Sequence, residues 1–168
     1  MSEKFVFVAN YPRDSLWEIL SERTCEIAQY IDEIVAVELK ASETTKPAIV
    51  RNVHAWRVRP LVPAILMPHI DAKYLEWISS TEWHMADYRS YWRIQPSFLD
   101  SVLCDAQIDL TPAMGGRGTR VKVELAIAAF EGPAALRSGA AAILSSFFRR
   151  LVDGAVRHIA ASVELPRK

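Results

Sequence analysis

At 168 residues, with 20 Lys and Arg against 20 Asp and Glu, the chain carries no net charge, so it offers no basic field to collect nucleic-acid phosphates and no acidic tail for a cationic partner. The hydrophobic share is 51%, yet no apolar run reaches the ~20 residues of a membrane-crossing helix, and no transmembrane segment is expected. A chain of this length reads as one domain, 1–168, that buries roughly two-thirds of its unfolded surface and has room for a large core.

The opening "MSEKFVFVAN" has no basic start followed by a sustained apolar stretch, so a cytoplasmic protein is expected. Lys4 to Asn10 is β-branched and aromatic and reads as a strand. Ser15 with Glu18 fits a capping box ahead of an apolar helical face. A second short helix follows, with Ile27 and Tyr30 or Ile31 at helical spacing, and "EIVAVELKASE" then resumes strand alternation with Val35, Val37 and Leu39 on one side. Cys25 falls on that second helix and Cys104 on a later strand, without CxxC spacing, so both are read as reduced structural thiols.

"RNVHAWRVR" places Arg51, Arg57 and Arg59 on one face and Asn52, His54, Trp56 and Val58 on the other. Next comes "RPLVPAILMPHID", an oily run held between Pro60, Pro63 and Pro68. It reads either as a buried cap on the sheet or as a lid over a cavity mouth, with Leu66 and Met67 as adaptable contacts for an apolar ligand.

Alternation resumes beyond it. Leu75, Trp77, Ser79, Thr81, Trp83 and Met85 share a face opposite Glu76 and Glu82; Tyr88, Ser90, Trp92 and Ile94 oppose Arg89, Tyr91 and Arg93. Cys104, Ala106, Ile108 and Leu110 oppose Asp105, Gln107 and Asp109, and Val121, Val123, Leu125 and Ile127 oppose Arg120, Lys122 and Glu124. Strands of this kind make an antiparallel sheet with one wet and one dry face. "MGGRGT" between the last two supplies glycines for a hairpin at Gly115, Gly116 or Gly118, and because it links two strands it is not a phosphate cradle, which would open a helix. After Gly132-Pro133 the period changes: Leu136, Ala140, Ile143 or Leu144, Phe147, Leu151, Gly154 or Ala155, and His158 or Ile159 form one stripe of a long helix ending near Val163.

This order predicts an α+β architecture: a curved antiparallel sheet of about six to seven strands around a long C-terminal helix, with two short helices after the first strand. Three stretches carry a resemblance to the START-like or SRPBCC superfamily, the helix-grip fold of lipid-transfer domains, plant allergens and polyketide cyclase/dehydrase-like proteins. They are "VANYPRDSLWEIL", "IDLTPAMGGRGTRVKVEL" and the terminal helix. The resemblance implies a hydrophobic or lipid-like small molecule held between sheet and helix, with no cofactor; some members add catalysis.

The residues expected at such a cavity are His54, Trp56, Leu66, Met67, Trp77, Ser79, Thr81, Trp83, Trp92, Cys104, Phe147 and Leu151. Trp56, Trp77, Trp83 and Trp92 are either a bulky core packed on the helix or an aromatic wall. The small residues beside them, Ser79, Thr81, Ser90, Cys104 and Ala106, leave volume and offer hydroxyls, which favours the wall. His54 is the first acid–base candidate, for a cyclase/dehydrase-type reaction with Ser79 or Thr81 orienting the substrate, and His158 on the terminal helix, at or near the edge of its stripe, is the other. His54, His69, His84 and His158 show no HxH or HxxxH spacing, so no metal is expected. A third reading, a protein-interaction domain, rests on Leu61 to Met67 being an exposed apolar patch.

Overall fold

The computed structural model describes residues 2–59, 75–97, 99–131 and 134–164, the side chains of 134–138 and 164 excepted. Seven strands form one antiparallel sheet: β1 (Ser2–Ala9), β2 (Ile34–Lys46), β3 (Ile49–Val58), β4 (Glu76–His84), β5 (Arg89–Pro96), β6 (Cys104–Ala113) and β7 (Gly118–Ile127). Their order across the sheet is β1-β7-β6-β5-β4-β3-β2. From β2 to β7 the chain is a meander, and β1 closes beside the last strand. Two short helices, α1 (Arg13–Glu22) and α2 (Thr24–Ile27), follow β1, and α3 (Ala134–Glu164) ends the chain. At 31 residues, α3 is about 45 Å long, enough to cross the whole sheet.

Alternation along β3 to β7 is obeyed: Asn52, His54, Trp56 and Val58 are buried while Arg51, Arg57 and Arg59 are exposed, and the same holds for Trp77 to Trp83, Ser90 to Ile94, Cys104 to Leu110 and Val121 to Ile127. The outer arginines find acceptors on the same face, Arg57 with Glu76 at 3.1 Å, Arg93 with Asp105 at 3.4 Å, and Arg51 with Ser80 Oγ at 3.1 Å. They make a solvated ladder of exposed pairs, each contributing little.

β2 departs from the expected pattern. Val35 and Leu39 are 50% and 48% exposed. This is an edge strand with register shifts between Ile34 and Ala36, Leu39 and Ala41, and Thr44 and Lys46. The first bulge sets Val35 aside from the ladder, while Val37 and Leu39 stay opposite Trp56 and His54 on the inner face, Leu39 being exposed because it borders a pocket at this edge of the sheet.

The capping box is also not formed. α1 begins at Arg13 with Pro12 as its N-cap and no side-chain cap bond, which puts Ser15 inside the first turn. α1 is fixed from outside instead: the Tyr88 hydroxyl donates to Asp14, the Arg13 guanidinium lies 3.8 Å over the Tyr88 ring, and Trp17 meets that ring edge-on. In the β6–β7 hairpin the positive φ falls on Met114, Gly115 and Gly116. Gly118 is needed for a different reason, because a Cβ there would come within 2.9 Å of Met114 Sδ and 3.0 Å of the Ala9 carbonyl oxygen.

α3 buries a wider stripe than the sequence marks. Leu144 rather than Ile143 is turned inward, Phe148 and Val152 are fully buried beside Phe147 and Leu151, and both Gly154 and Ala155 are buried. The helix is gripped on two sides, by the sheet and by the short helices, which doubles the arc that must be apolar. At Gly154 the approach is closest: an added Cβ would sit 2.7 Å from Ile27 Cγ2 and 2.8 Å from Ile31 Cγ1.

Candidate functional site

The inner face of β3, β4 and β5 brings the predicted residues together. Antiparallel register sets His54 opposite Ser79, Trp56 opposite Trp77 and Asn52 opposite Thr81. On the other side of β4, Thr81 faces Trp92, Trp83 faces Ser90 and Ser79 faces Ile94. His54, Trp56, Trp77, Ser79, Thr81, Trp83, Trp92, Cys104, Phe147 and Leu151 are all buried. Leu66 and Met67, with the rest of the oily run from Pro60, lie outside the described residues.

The tryptophans divide in two. Trp56 and Trp77 each meet Phe147 edge-to-face, at 5.1 and 5.2 Å between ring centres, and Trp92 meets Phe148 at 5.5 Å. Here sheet and helix are in direct contact, which is packed-core geometry at these three positions. Trp83 sits further along, between Trp92 at 5.6 Å and Trp17 of α1 at 5.3 Å. In the sequence Trp17 stands only within a strand-to-helix motif; its pairing with Trp83 joins residues far apart in the chain.

Indole hydrogen bonding follows a different division. Trp56 Nε1 donates to Ser79 Oγ at 2.7 Å and Trp92 Nε1 to Ser90 Oγ at 2.9 Å. Two small residues on the dry face are thereby accounted for as acceptors for tryptophans rather than as spare volume. Trp77 Nε1, Trp83 Nε1, Thr81 Oγ1 and His54 Nδ1 are equally buried and have no hydrogen-bond partner among the described residues. Leaving such a group unpaired costs about 1–3 kcal/mol.

A pocket of about 490 Å³ opens where the α1–α2 junction meets β2 and β3, lined by Ser21, Asn52, His54, Trp83 and Met85 among others. Of the expected cavity residues it takes His54 and Trp83; the other described ones lie behind or beside it. Its floor is polar. Ser42 Oγ donates to Asn52 Oδ1 at 2.8 Å, and Asn52 Nδ2 reaches the Ser21 carbonyl oxygen at 3.5 Å. The only hint in the sequence was Asn52 on the inner face, since its partners come from another strand and a helix. At the rim, Arg23 is paired with Glu26 at 3.4 Å, and Glu22 and Cys25 stand beside them.

Burial alone pushes the His54 imidazole down to about 4, so it is neutral in ordinary buffers. Its ring stands 6.0 Å from Trp56. Cys104 is pushed up to about 12, first by burial and then by Asp105, which makes it an inert thiol. His158 is also buried, on α3, where its Nε2 lies 2.8 Å from Glu26 Oε2 and its ring meets Tyr30 at 5.4 Å. Among the described residues there is no group of three His, Cys, Asp or Glu side chains placed to hold a metal ion, and no helix is long and apolar enough to cross a membrane.

No family model matches the sequence, and no curated protein matches it. Solved structures do match in shape. The Zhui aromatase/cyclase from Streptomyces sp. R1128 superposes with a TM-score of 0.70 at 11% identity, covering 98% of this chain and 96% of that one. Ara h 8.0201 gives 0.66 at 14% identity, covering 96% and 98%. A START superfamily protein from Mycobacterium smegmatis gives 0.58 at 13%, covering 94% and 98%. At such identities the likeness establishes the fold alone. That fold is the helix grip, a curved antiparallel sheet around a long C-terminal helix.

Proposed function

We propose that this chain binds a hydrophobic or lipid-like small molecule against the inner face of the sheet, in the pocket beside the α1–α2 junction, without catalysis. The observation that carries this reading is the contrast among the four inner tryptophans. Trp56 and Trp92 have serines placed to accept their N–H groups, while Trp77, Trp83, Thr81 and His54 keep buried polar atoms without a partner among the described residues. An interior built only for packing pairs such groups or replaces them with apolar ones. Clustered on two neighbouring strands, they fit a surface that a ligand completes. The pocket at His54 and Trp83 has the volume of an ordinary small-molecule site, and the fold is shared with a protein described as an aromatase/cyclase.

The test is native mass spectrometry of freshly purified protein beside a denatured control, followed by titration with the apolar fluorophore 1-N-phenylnaphthylamine. A co-purified apolar mass or saturable one-to-one uptake of the probe is expected. A bare protein mass together with no saturable uptake overturns the reading.

A cyclase/dehydrase-type reaction with His54 as acid or base is the second reading, favoured by the place of His54 on the pocket wall. It is weaker because burial is the sole influence on the His54 proton, with no carboxylate contributing, and acid–base work needs a positioned partner. Ser79 is already occupied by Trp56, which leaves Thr81 as the free hydroxyl. Full turnover of a discovered substrate by His54→Ala would exclude this role. The protein-interaction reading rests on Leu61 to Met67, outside the described residues.

A further inference from the structure

The two edges of the sheet are guarded differently. A free strand edge is a row of unpaired N–H and C=O groups, and bulges or charged side chains normally keep other chains off it. β2 has three register shifts and, from Glu38 to Lys46, four charged residues. β1 pairs with β7 in unbroken register from Ser2 to Ala9 and bears no charge from Phe5 to Ala9. Among the described residues the backbone of β1 bonds to no backbone but that of β7. Val6 and Val8 stand 42% and 52% exposed on the outer face. Lys4 does not screen the edge, because its ammonium is drawn back over the sheet to Glu124 at 3.3 Å.

Charge around this edge is predominantly positive. On β7, Lys122 lies opposite Val6 and Arg120 opposite Val8, and the Arg149 guanidinium of α3 covers the Phe5 ring at 4.0 Å. With Lys4 these are four cations against two carboxylates, Glu3 and Glu124. Glu3 accepts a hydrogen bond from Ser145 Oγ, and Glu124 is shared by Lys4 at 3.3 Å and Lys122 at 3.1 Å. Asp109, one strand further in, is held by Arg89. Arg120 and Arg149 have no carboxylate partner among the described residues. A chain with no net charge thus keeps a cationic excess beside its unguarded edge.

We propose that the free edge of β1 is a docking site for an extended segment of another protein, rich in β-branched residues and bearing carboxylates, which adds a further strand to the sheet. Main-chain hydrogen bonds to β1 supply the affinity, and side-chain contacts select the sequence. The added strand lies about 10 Å from β7, two strand spacings away. Arg120, reaching over the short side chain of Val8, and a glutamate reaching back from the partner together span that gap. A second copy of this chain is a poorer occupant. Pairing β1 with itself would bring Lys4, Arg120 and Lys122 of both copies to one seam, where like charges repel. The site is separate from the pocket at His54 and Trp83, which opens beside the opposite edge strand, β2.

Three capped peptides carrying the same fluorescent dye test this, each titrated with the full chain and read by anisotropy. They are Thr-Val-Glu-Val-Glu-Val-Thr, its counterpart Thr-Val-Lys-Val-Lys-Val-Thr, and Thr-Val-Glu-Pro-Glu-Val-Thr, whose proline interrupts a strand. The glutamate peptide is expected to bind about tenfold more tightly than the lysine peptide, as two exposed ion pairs require, and the proline peptide to lose binding. Val6→Asp should weaken the glutamate peptide about tenfold by setting a carboxylate on the edge. Arg120→Glu should bring the two charged peptides to similar affinity. Both positions are exposed, and a cooperative thermal transition close to that of the unsubstituted chain reports an intact fold. The ranking of the three peptides by the unsubstituted chain stands without the variants. Equal binding of the glutamate and lysine peptides, undiminished binding of the proline peptide, binding of none, or a dimer in sedimentation that Val6→Asp dissociates overturns the inference. The reading of the pocket is decided separately, by the co-purified mass and the naphthylamine titration.

Discussion

Trp56 on β3 donates its indole N–H to Ser79 Oγ on β4 at 2.7 Å, diagonally across the two strands and two residues along from its cross-strand neighbour Trp77. Both residues are buried, Ser79 completely. Removing the acceptor while leaving the donor in place should be costly. Ser79→Ala is expected to lower stability by about 1–3 kcal/mol, read as a shift in the urea midpoint without a change in slope. A Ser79→Ala midpoint equal to that of the unsubstituted protein would mean that Trp56 re-pairs elsewhere.

His54 makes stability depend on pH in a definite window. Its folded value lies at about 4 against 6.5 for the free group, so between those values the unfolded chain binds the extra proton and the native state does not. Stability is therefore full above pH 6.5 and falls on acidification toward pH 4, by about 3 kcal/mol over the whole range. Glu26, held low by its bond to His158, and Glu124, held low by Lys122 and Lys4, add their losses only below the ordinary carboxylate value of 4.5. Denaturant melts at pH 7 and pH 5, on the unsubstituted chain and on His54→Gln, read this contribution. The difference should shrink sharply in His54→Gln; if it persists unchanged, another group carries the titration.

Gly154 marks the tightest approach of α3 to the short helices. A methyl group there meets Ile27 and Ile31, both buried, at under 3 Å. Glycine normally weakens a helix interior by about 1 kcal/mol relative to alanine, so at an open site Gly154→Ala would stabilise. Here overpacking outweighs propensity, and a net loss of about 1–3 kcal/mol is expected. Thermal unfolding decides the sign. Gly139, which an added Cβ would leave in ordinary contact with Ile143 at 3.8 Å, is the matched control and should not be destabilised by the same change.

The two thiols should behave oppositely toward a disulfide reagent in native buffer. Cys25 is exposed; Cys104 is buried and raised to about 12. One equivalent of thiol is expected to react before denaturant is added and the second only with unfolding. Prompt reaction of two equivalents would mean that the β6 end of the sheet opens readily.

The sheet was legible because its signal is local. On β3 to β7 each side chain's face follows from its parity in the strand, and His54, Trp56, Trp77, Ser79, Thr81, Trp83 and Trp92 reach the dry side for that reason alone. On β2 parity fails at Val35, where a bulge interrupts it, and holds at Val37 and Leu39, which stand opposite Trp56 and His54. The arc of α3 was read too narrowly at Phe148 and Val152, because the sequence shows one stripe but does not reveal that two layers grip the helix. His54 and Trp83 of the pocket are legible in the sequence by parity, but its polar floor is not, because Ser21 comes from a helix, Ser42 from an edge strand and Asn52 from an inner strand, and no spacing links them.

By itself, then, the sequence determined the alternation, the order of elements, the inward set of aromatic residues and, through motifs spread along the chain, the helix-grip fold; all of these depend on neighbours within a few positions. Only the tertiary structure decided which tryptophan meets the helix, which finds a serine, and which is left with an unpaired donor beside an open pocket. Hydrogen bonds and ring contacts of this kind join residues from different strands at distances set by register and sheet curvature, and those are properties of the assembled layers rather than of any single segment.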